Sequence, residues 1–220
     1  MSKDCSSNEP QQSRNSESVI MNQRTLRAWL ALTTFMGMAG GLQAADQAGH
    51  AHRPEDTVRI STIAYRVPDL KLVRQDGKPV SLLTEMNDGR PVVLNFIFTS
   101  CEGVCPLMSQ TFAEFQHMLG ADSASVHMMS ISIDPEQDTP ARLRDYAKLF
   151  NAGPGWSYYT GSQSASIAAQ QAFGVFRGDK MSHAAVTLIR PAPGASWRRL
   201  DGFVTPEDLL REYHALIAAR

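Results

Sequence analysis

Residues 91–98, Pro-Val-Val-Leu-Asn-Phe-Ile-Phe, constrain the fold more than any other part of this chain, because they form a near-continuous β-prone apolar run. A strand of that kind is stable only where both of its faces are covered, as in the centre of an α/β sheet. Helical signals follow it. Pro106 suits the first position of a helix, and Met108, Phe112, Phe115 and Leu119 recur at the spacing of one helical face. Residues 125–133 read as a second, alternating strand. Thr139-Pro140 then opens a second helix, with Thr139 as its cap and Leu143, Tyr146, Ala147 and Phe150 on its apolar face.

A shorter helix over residues 164–173 stops at Gly174, and residues 184–189 and 197–203 read as two strands joined across 191–196. Thr205-Pro206-Glu207-Asp208 caps a last helix carrying Leu209, Tyr213, Leu216 and Ile217. Upstream, residues 70–83 alternate around Asp76-Gly77, the pattern of a hairpin. A parallel βαβ unit followed by an antiparallel hairpin and a closing helix predicts a thioredoxin-like α/β fold. Its central mixed sheet is flanked by helices and preceded by an N-terminal β-hairpin.

Residues 1–20 are polar, offer little to bury, and read as a disordered extension or as sequence upstream of a true start at Met21. Residues 21–45 have the three-part layout of an export signal: Arg24 and Arg27, an apolar run over 28–42, then Gln43, Ala44 and Ala45. That run is shorter than the roughly 18–20 residues that span a bilayer, which favours a cleaved signal over a short retained anchor. Residues 46–62 read as a linker containing His50 and His52, and residues 63–220 as one domain. The expected location is the periplasm, at the inner membrane if the leader is retained. With 21 basic against 22 acidic residues the chain has no cationic field to grip a phosphate backbone, so no nucleic acid partner is expected.

Cleavage of the leader removes Cys5 and leaves only Cys101 and Cys105. A bridge closing so short a loop contributes about 2 kcal/mol, against roughly 4 or more for one closing most of a domain, so stability is a weak reason for the pair. In a βαβ unit the loops after both strands emerge at the carboxyl edge of the sheet. Cys101, Cys105 and Asp134 occupy those loops, and His183, just before an antiparallel strand, reaches the same edge. Pro106 disfavours helical geometry at Cys105 and places it at the helix cap, where N–H groups favour a thiolate, so that both sulfurs act as anions. Two thiolates and an imidazole suit three-coordinate Cu(I) and leave Zn(II) one ligand short.

Dithiol–disulfide chemistry and an inert local disulfide are the other readings of the pair. Its three-residue spacer departs from Cys-x-x-Cys, and His183 stands where ordinary thioredoxin-like redox sites place a proline. Asp134 reads as shaping the turn through Pro135 or capping the Asp138-Thr139-Pro140 helix start, and so as supporting the site rather than binding metal. His117, His127 and His214 read as surface or half-buried residues, and Met108, Met128 and Met129 as core.

Phe-Ile-Phe-Thr-Ser-Cys-Glu-Gly-Val-Cys-Pro (residues 96–106), Ser-Ile-Asp-Pro-Glu-Gln-Asp-Thr-Pro (132–140) and His183 resemble the Sco/SenC family of exported, copper-binding, thioredoxin-like cytochrome oxidase assembly proteins. The similarity covers roughly residues 65–218. It implies copper, as Cu(I) or Cu(II), held by Cys101, Cys105 and His183, with Cys101 and Cys105 as a redox-active pair. It also implies delivery of copper to, or thiol reduction at, the binuclear copper site of cytochrome c oxidase subunit II or another copper acceptor, with a thiol reductant as a further partner. On this reading the chain is a metallochaperone rather than an enzyme; a thiol–disulfide oxidoreductase and a copper or redox sensor are the alternatives. Residues 176–182 depart from the family pattern in being a short run, without the acidic residue that often stands beside the histidine.

Overall fold

The apolar run is realised as strand β4, Val92–Ile97, in which every residue is buried. It lies inside an eight-stranded sheet, in a computed structural model that describes residues 58–219. The other strands are β1 (Arg59–Ile63), β2 (Lys71–Arg74), β3 (Pro79–Ser81), β5 (His127–Ser132), β6 (Trp156–Gly161), β7 (Val186–Arg190) and β8 (Trp197–Asp201), in the order β1-β8-β7-β4-β5-β6-β2-β3. Five helices accompany them: α1 (Leu82–Met86), α2 (Val104–Leu119), α3 (Pro140–Leu149), α4 (Gln163–Ala172) and α5 (Pro206–Ala218).

β4 runs parallel to β5, from Val92 opposite His127 to Ile97 opposite Ser132, and antiparallel to β7. Alternation along β4 divides the core between the two faces of the sheet. Val93 and Ile97 join Phe112, Phe115, Trp156, Leu209 and Tyr213 on one face. Leu94 and Phe96 join Met129, Ala169, Phe173 and Trp197 on the other. This is the mixed, helix-flanked α/β architecture that the order of elements predicts.

The helix starts follow local chemistry. Thr139 accepts a hydrogen bond from the Arg142 N–H at 3.3 Å and Thr205 one from the Asp208 N–H at 3.1 Å, each satisfying an N–H that the helix itself leaves unpaired. α4 is capped in the same way by Ser162, and the chain leaves it through Gly174 at φ +63°.

Four boundaries differ from the sequence reading. Residues 59–62, read as linker, form β1 with Ile63; this edge strand pairs with β8 and buries little, so it leaves no apolar pattern. β6 was not anticipated either, because Trp156-Ser-Tyr-Tyr-Thr-Gly161 lacks aliphatic residues and buries aromatic rings instead. The hairpin formed by β2 and β3 ends at Ser81, whose hydroxyl caps α1. β5 is buried on both faces rather than alternating, because it lies between β4 and β6.

The carboxyl edge of β4 and β5 gathers several segments. β7 begins there, since Thr187 pairs with Asn95 near the end of β4. Asp201 at the end of β8 lies opposite Val186, and Arg59 at the start of β1 lies opposite Asp201, so β1 also starts from that edge. The export signal read at residues 21–45 lies outside the described residues. Among the described residues, no helix is long and apolar enough to cross a membrane.

Candidate metal centre

The cysteine loop is held by a carboxylate that the sequence reading treated only as part of a helix start. Asp138, fully buried, accepts the Thr99 N–H at 3.2 Å on each oxygen, the Thr99 hydroxyl at 2.5 Å and the Ser132 hydroxyl at 2.6 Å. One side chain thereby ties the loop after β4 to the end of β5. The Cys101 N–H donates to the Phe98 carbonyl at 3.2 Å, which turns the chain toward α2.

α2 begins at Val104, two residues before Pro106, so Cys105 lies in the first turn of the helix rather than at its cap. Gly103 occupies the cap position and offers no side chain. The Cys101 sulfur takes that role, accepting the Cys105 N–H at 3.4 Å. Both cysteines are free thiols, Cys101 half-buried and Cys105 at 0% exposure.

Their acidities therefore diverge. Burial pushes the Cys101 thiol up, but the N–H groups of Cys105, Gly103 and Val104 outweigh it and hold the thiol below its ordinary range. Burial drives the Cys105 thiol well above that range, and the neighbouring Cys101 adds to the rise. The expectation that both sulfurs act as anions is corrected to one thiolate-prone sulfur and one protonated partner. The physical reason is the depth of Cys105, which joins the core with Phe98 and Leu209.

His183 directly precedes the residues that lead into β7 and is only 9% exposed. Its Nε2 lies 2.9 Å from the Phe96 carbonyl oxygen, which can only accept, so Nε2 carries the proton and the neutral ring keeps its lone pair on Nδ1. Burial holds this imidazole below its ordinary pKa; the bond to Phe96 works the other way and Arg177 adds to the lowering. Phe96 lies just past the last β4–β7 pair, Asn95 with Thr187, which leaves its carbonyl to the ring.

Asp134 is buried and directs Oδ2 at Lys180 Nζ, 2.6 Å away. Its own N–H donates to the Ser132 hydroxyl at 3.0 Å. A groove of about 520 Å³ opens beside it, lined among others by Glu136, Gln170, Phe176 and His183.

Cys101, Cys105, His183 and Asp134 thus come from three distant segments to one edge of the sheet, as the topology predicts. Among the described residues, no three His, Cys, Asp or Glu side chains stand together as a metal-holding group. A buried ring needs an acceptor, and the Phe96 carbonyl supplies it. The donor set nonetheless fits a soft cation: two sulfurs and an imidazole nitrogen whose other N–H is oriented by a backbone carbonyl.

Of the remaining histidines, His117 and His214 are exposed, as read from the sequence, whereas His127 is buried. Its Nδ1 lies 3.0 Å from the Glu85 carbonyl and 2.9 Å from the Asp88 carboxylate, and its Nε2 lies 2.8 Å from the Tyr159 hydroxyl. Met108, Met128 and Met129 are core residues, as expected.

Comparison with known proteins gives the family and the fold. The SCO1/SenC family model matches residues 63–218. The SCO1 protein homolog of Bacillus subtilis (strain 168) is 36% identical over 104 residues, which are 47% of this chain and 53% of that protein. The chain spans about half the length of the first curated relatives that it matches. The structure of Bradyrhizobium japonicum ScoI with copper bound superposes with a TM-score of 0.58 at 23% identity, covering 68% of this chain and 98% of that one. BsSco, a member of the Sco family of cytochrome c oxidase assembly proteins in which a disulfide switch was identified, superposes with a TM-score of 0.59 at 26% identity, covering 73% of this chain and 98% of its own. The Cys-x-x-x-Cys-Pro loop at the head of α2, the late histidine before β7 and the family match across the whole folded region lead to one assignment: this chain belongs to the SCO1/SenC family.

Proposed function

We propose that the protein is an exported copper chaperone that holds copper through Cys101, Cys105 and His183 and passes it to the binuclear copper site of cytochrome c oxidase or to another copper acceptor. The observation that carries this reading is the free pair Cys101 and Cys105 at the carboxyl edge of the sheet, with a neutral buried imidazole at the same edge. The copper bound to Bradyrhizobium japonicum ScoI and the place of BsSco among cytochrome c oxidase assembly proteins support it. Copper is the cargo here. Cys101 offers a sulfur that ionises readily, Cys105 gives up its proton when a cation reaches the pair, and Nδ1 of His183 supplies a nitrogen. The leader read at residues 21–45 supports periplasmic export, with attachment to the inner membrane if it is retained.

Titration of the reduced Cys5→Ser protein with Cu(I) against a competing chelator tests the reading. A 1:1 complex is expected, weakened at least about a hundredfold in Cys101→Ser and in Cys105→Ser. Undiminished affinity in either variant overturns it.

The unequal thiols favour one second reading, a thiol–disulfide reductase. In that reaction the Cys101 thiolate attacks a partner disulfide, a mixed disulfide forms as the partner's first thiolate leaves, and Cys105 then closes a Cys101–Cys105 bond as the second one leaves. Two electrons pass to the partner, and an external thiol reductant must restore the pair. Reduction of a model disulfide in the presence of a copper chelator, at a rate unchanged in His183→Ala, favours this reading over the chaperone.

A further inference from the structure

We propose that Lys180 is a positioning residue for His183: it clamps the loop that carries the imidazole onto the two loops that flank the cysteine pair. The inference rests on the copper reading above and concerns how this chain brings its nitrogen donor to the site.

The loop is weakly attached otherwise. After Gly174 the chain runs through Gly178, at φ +79° with open space around its Cα, to the single 3-10 turn Lys180–Ser182. Asp179 caps that turn by accepting the Met181 N–H at 2.9 Å. Arg177 donates to the Gly174 and Phe176 carbonyls close by. Among the described residues, the other hydrogen bonds of residues 176–182 stay within the loop or reach only Gly174 and His183. Met181 at its tip is 74% exposed.

Lys180 is the side chain of this stretch that reaches across. Its Nζ pairs with Asp134 Oδ2 at 2.6 Å, on the loop after β5, and stands 5.6 Å from the centroid of the Phe98 ring, at the start of the cysteine loop. One cation therefore bridges both loops of the carboxyl edge. The link to the imidazole is equally direct, because the His183 N–H donates to the Lys180 carbonyl at 3.1 Å. Whatever fixes Lys180 fixes the backbone of His183 one turn later. The Asp134 carboxylate is almost fully buried, whereas the Lys180 side chain is 40% exposed, so replacing the lysine removes the clamp without opening the core.

The consequence depends on the oxidation state of the cargo. Two thiolates supply most of the hold on Cu(I), to which the imidazole is a third and weaker donor, whereas Cu(II) favours nitrogen and oxygen donors and relies on the histidine. Loosening the loop should weaken Cu(II) binding more than Cu(I) binding.

The test uses the full chain with Cys5→Ser. In Lys180→Gln, Cu(II) affinity should fall about ten- to a hundredfold, the range in which losing an outer support of a ligand acts. The nitrogen hyperfine pattern of the Cu(II) spectrum should weaken, Cu(I) affinity should fall by a smaller factor than Cu(II) affinity, and Lys180→Arg should restore the Cu(II) affinity and its spectrum. In the metal-free protein, amide exchange over residues 179–183 should quicken equally in Lys180→Gln and Asp134→Asn and no further in the double variant. Unaltered exchange in Lys180→Gln overturns the clamp. Undiminished Cu(II) affinity, or an equal loss for Cu(I) and Cu(II), overturns the positioning role. Failure of the unsubstituted protein to bind copper defeats the chaperone reading alone, because the exchange measurement still reports the clamp.

Discussion

Asp138 accepts from one backbone N–H and two hydroxyls in a fully buried position, and it does so at the root of the cysteine loop. Asp138→Ala leaves those donors unpaired, and urea unfolding should show a loss of about 3 kcal/mol. Cys105 should at the same time become reactive toward a thiol reagent that does not reach it in the unsubstituted protein. A pH effect belongs to the same scale. His127 and His183 are both held below the ordinary imidazole value of 6.5 by burial. The unfolded chain takes up these protons more readily than the fold does, so their contribution is fully present above about pH 6.5 and is lost as pH falls below it. Denaturant midpoints measured between pH 7.5 and 5 should follow that slope, and His127→Gln should make it shallower. That Cys101, Cys105, His183 and Asp134 meet at one edge of the sheet was legible in the sequence, because the order of strands and helices fixes where their loops emerge. Asp138 and Lys180 were not, since an aspartate before Thr-Pro also reads as a helix start and a loop lysine as a solvated charge.

Among the elements, the clearest sequence signals were the caps. Thr139→Ala should cost about 1 kcal/mol and lower the thermal midpoint, because it strips the acceptor from the Arg142 N–H at the start of α3. β4, the apolar stripe of α2, and α5 behind Thr205 could all be read from periodicity and capping residues. β1 could not, because an edge strand facing water on one side carries little pattern. β6 was hidden by its composition, and its rings of Trp156, Tyr158 and Tyr159 are fully enclosed only once α2, α3 and β2 pack around the sheet. The start of α2 was misplaced for a sharper reason. Pro106 suits any position in the first turn, and the cap role falls to the Cys101 sulfur, which propensity does not count.

For the whole molecule, the decisive fact is that β4 and β5 contribute to the cores on both faces. Neither half can unfold and leave the other intact. Phe112→Ala on one face and Phe173→Ala on the other should each cost about 3–5 kcal/mol. Each should shift a single transition in which far-UV circular dichroism and tryptophan fluorescence coincide. The starting position of β1 has a consequence of its own. Because Arg59 begins at the rim that bears the thiols, a pull applied to the backbone ahead of Val58 is transmitted to that rim and not to the far end of the sheet.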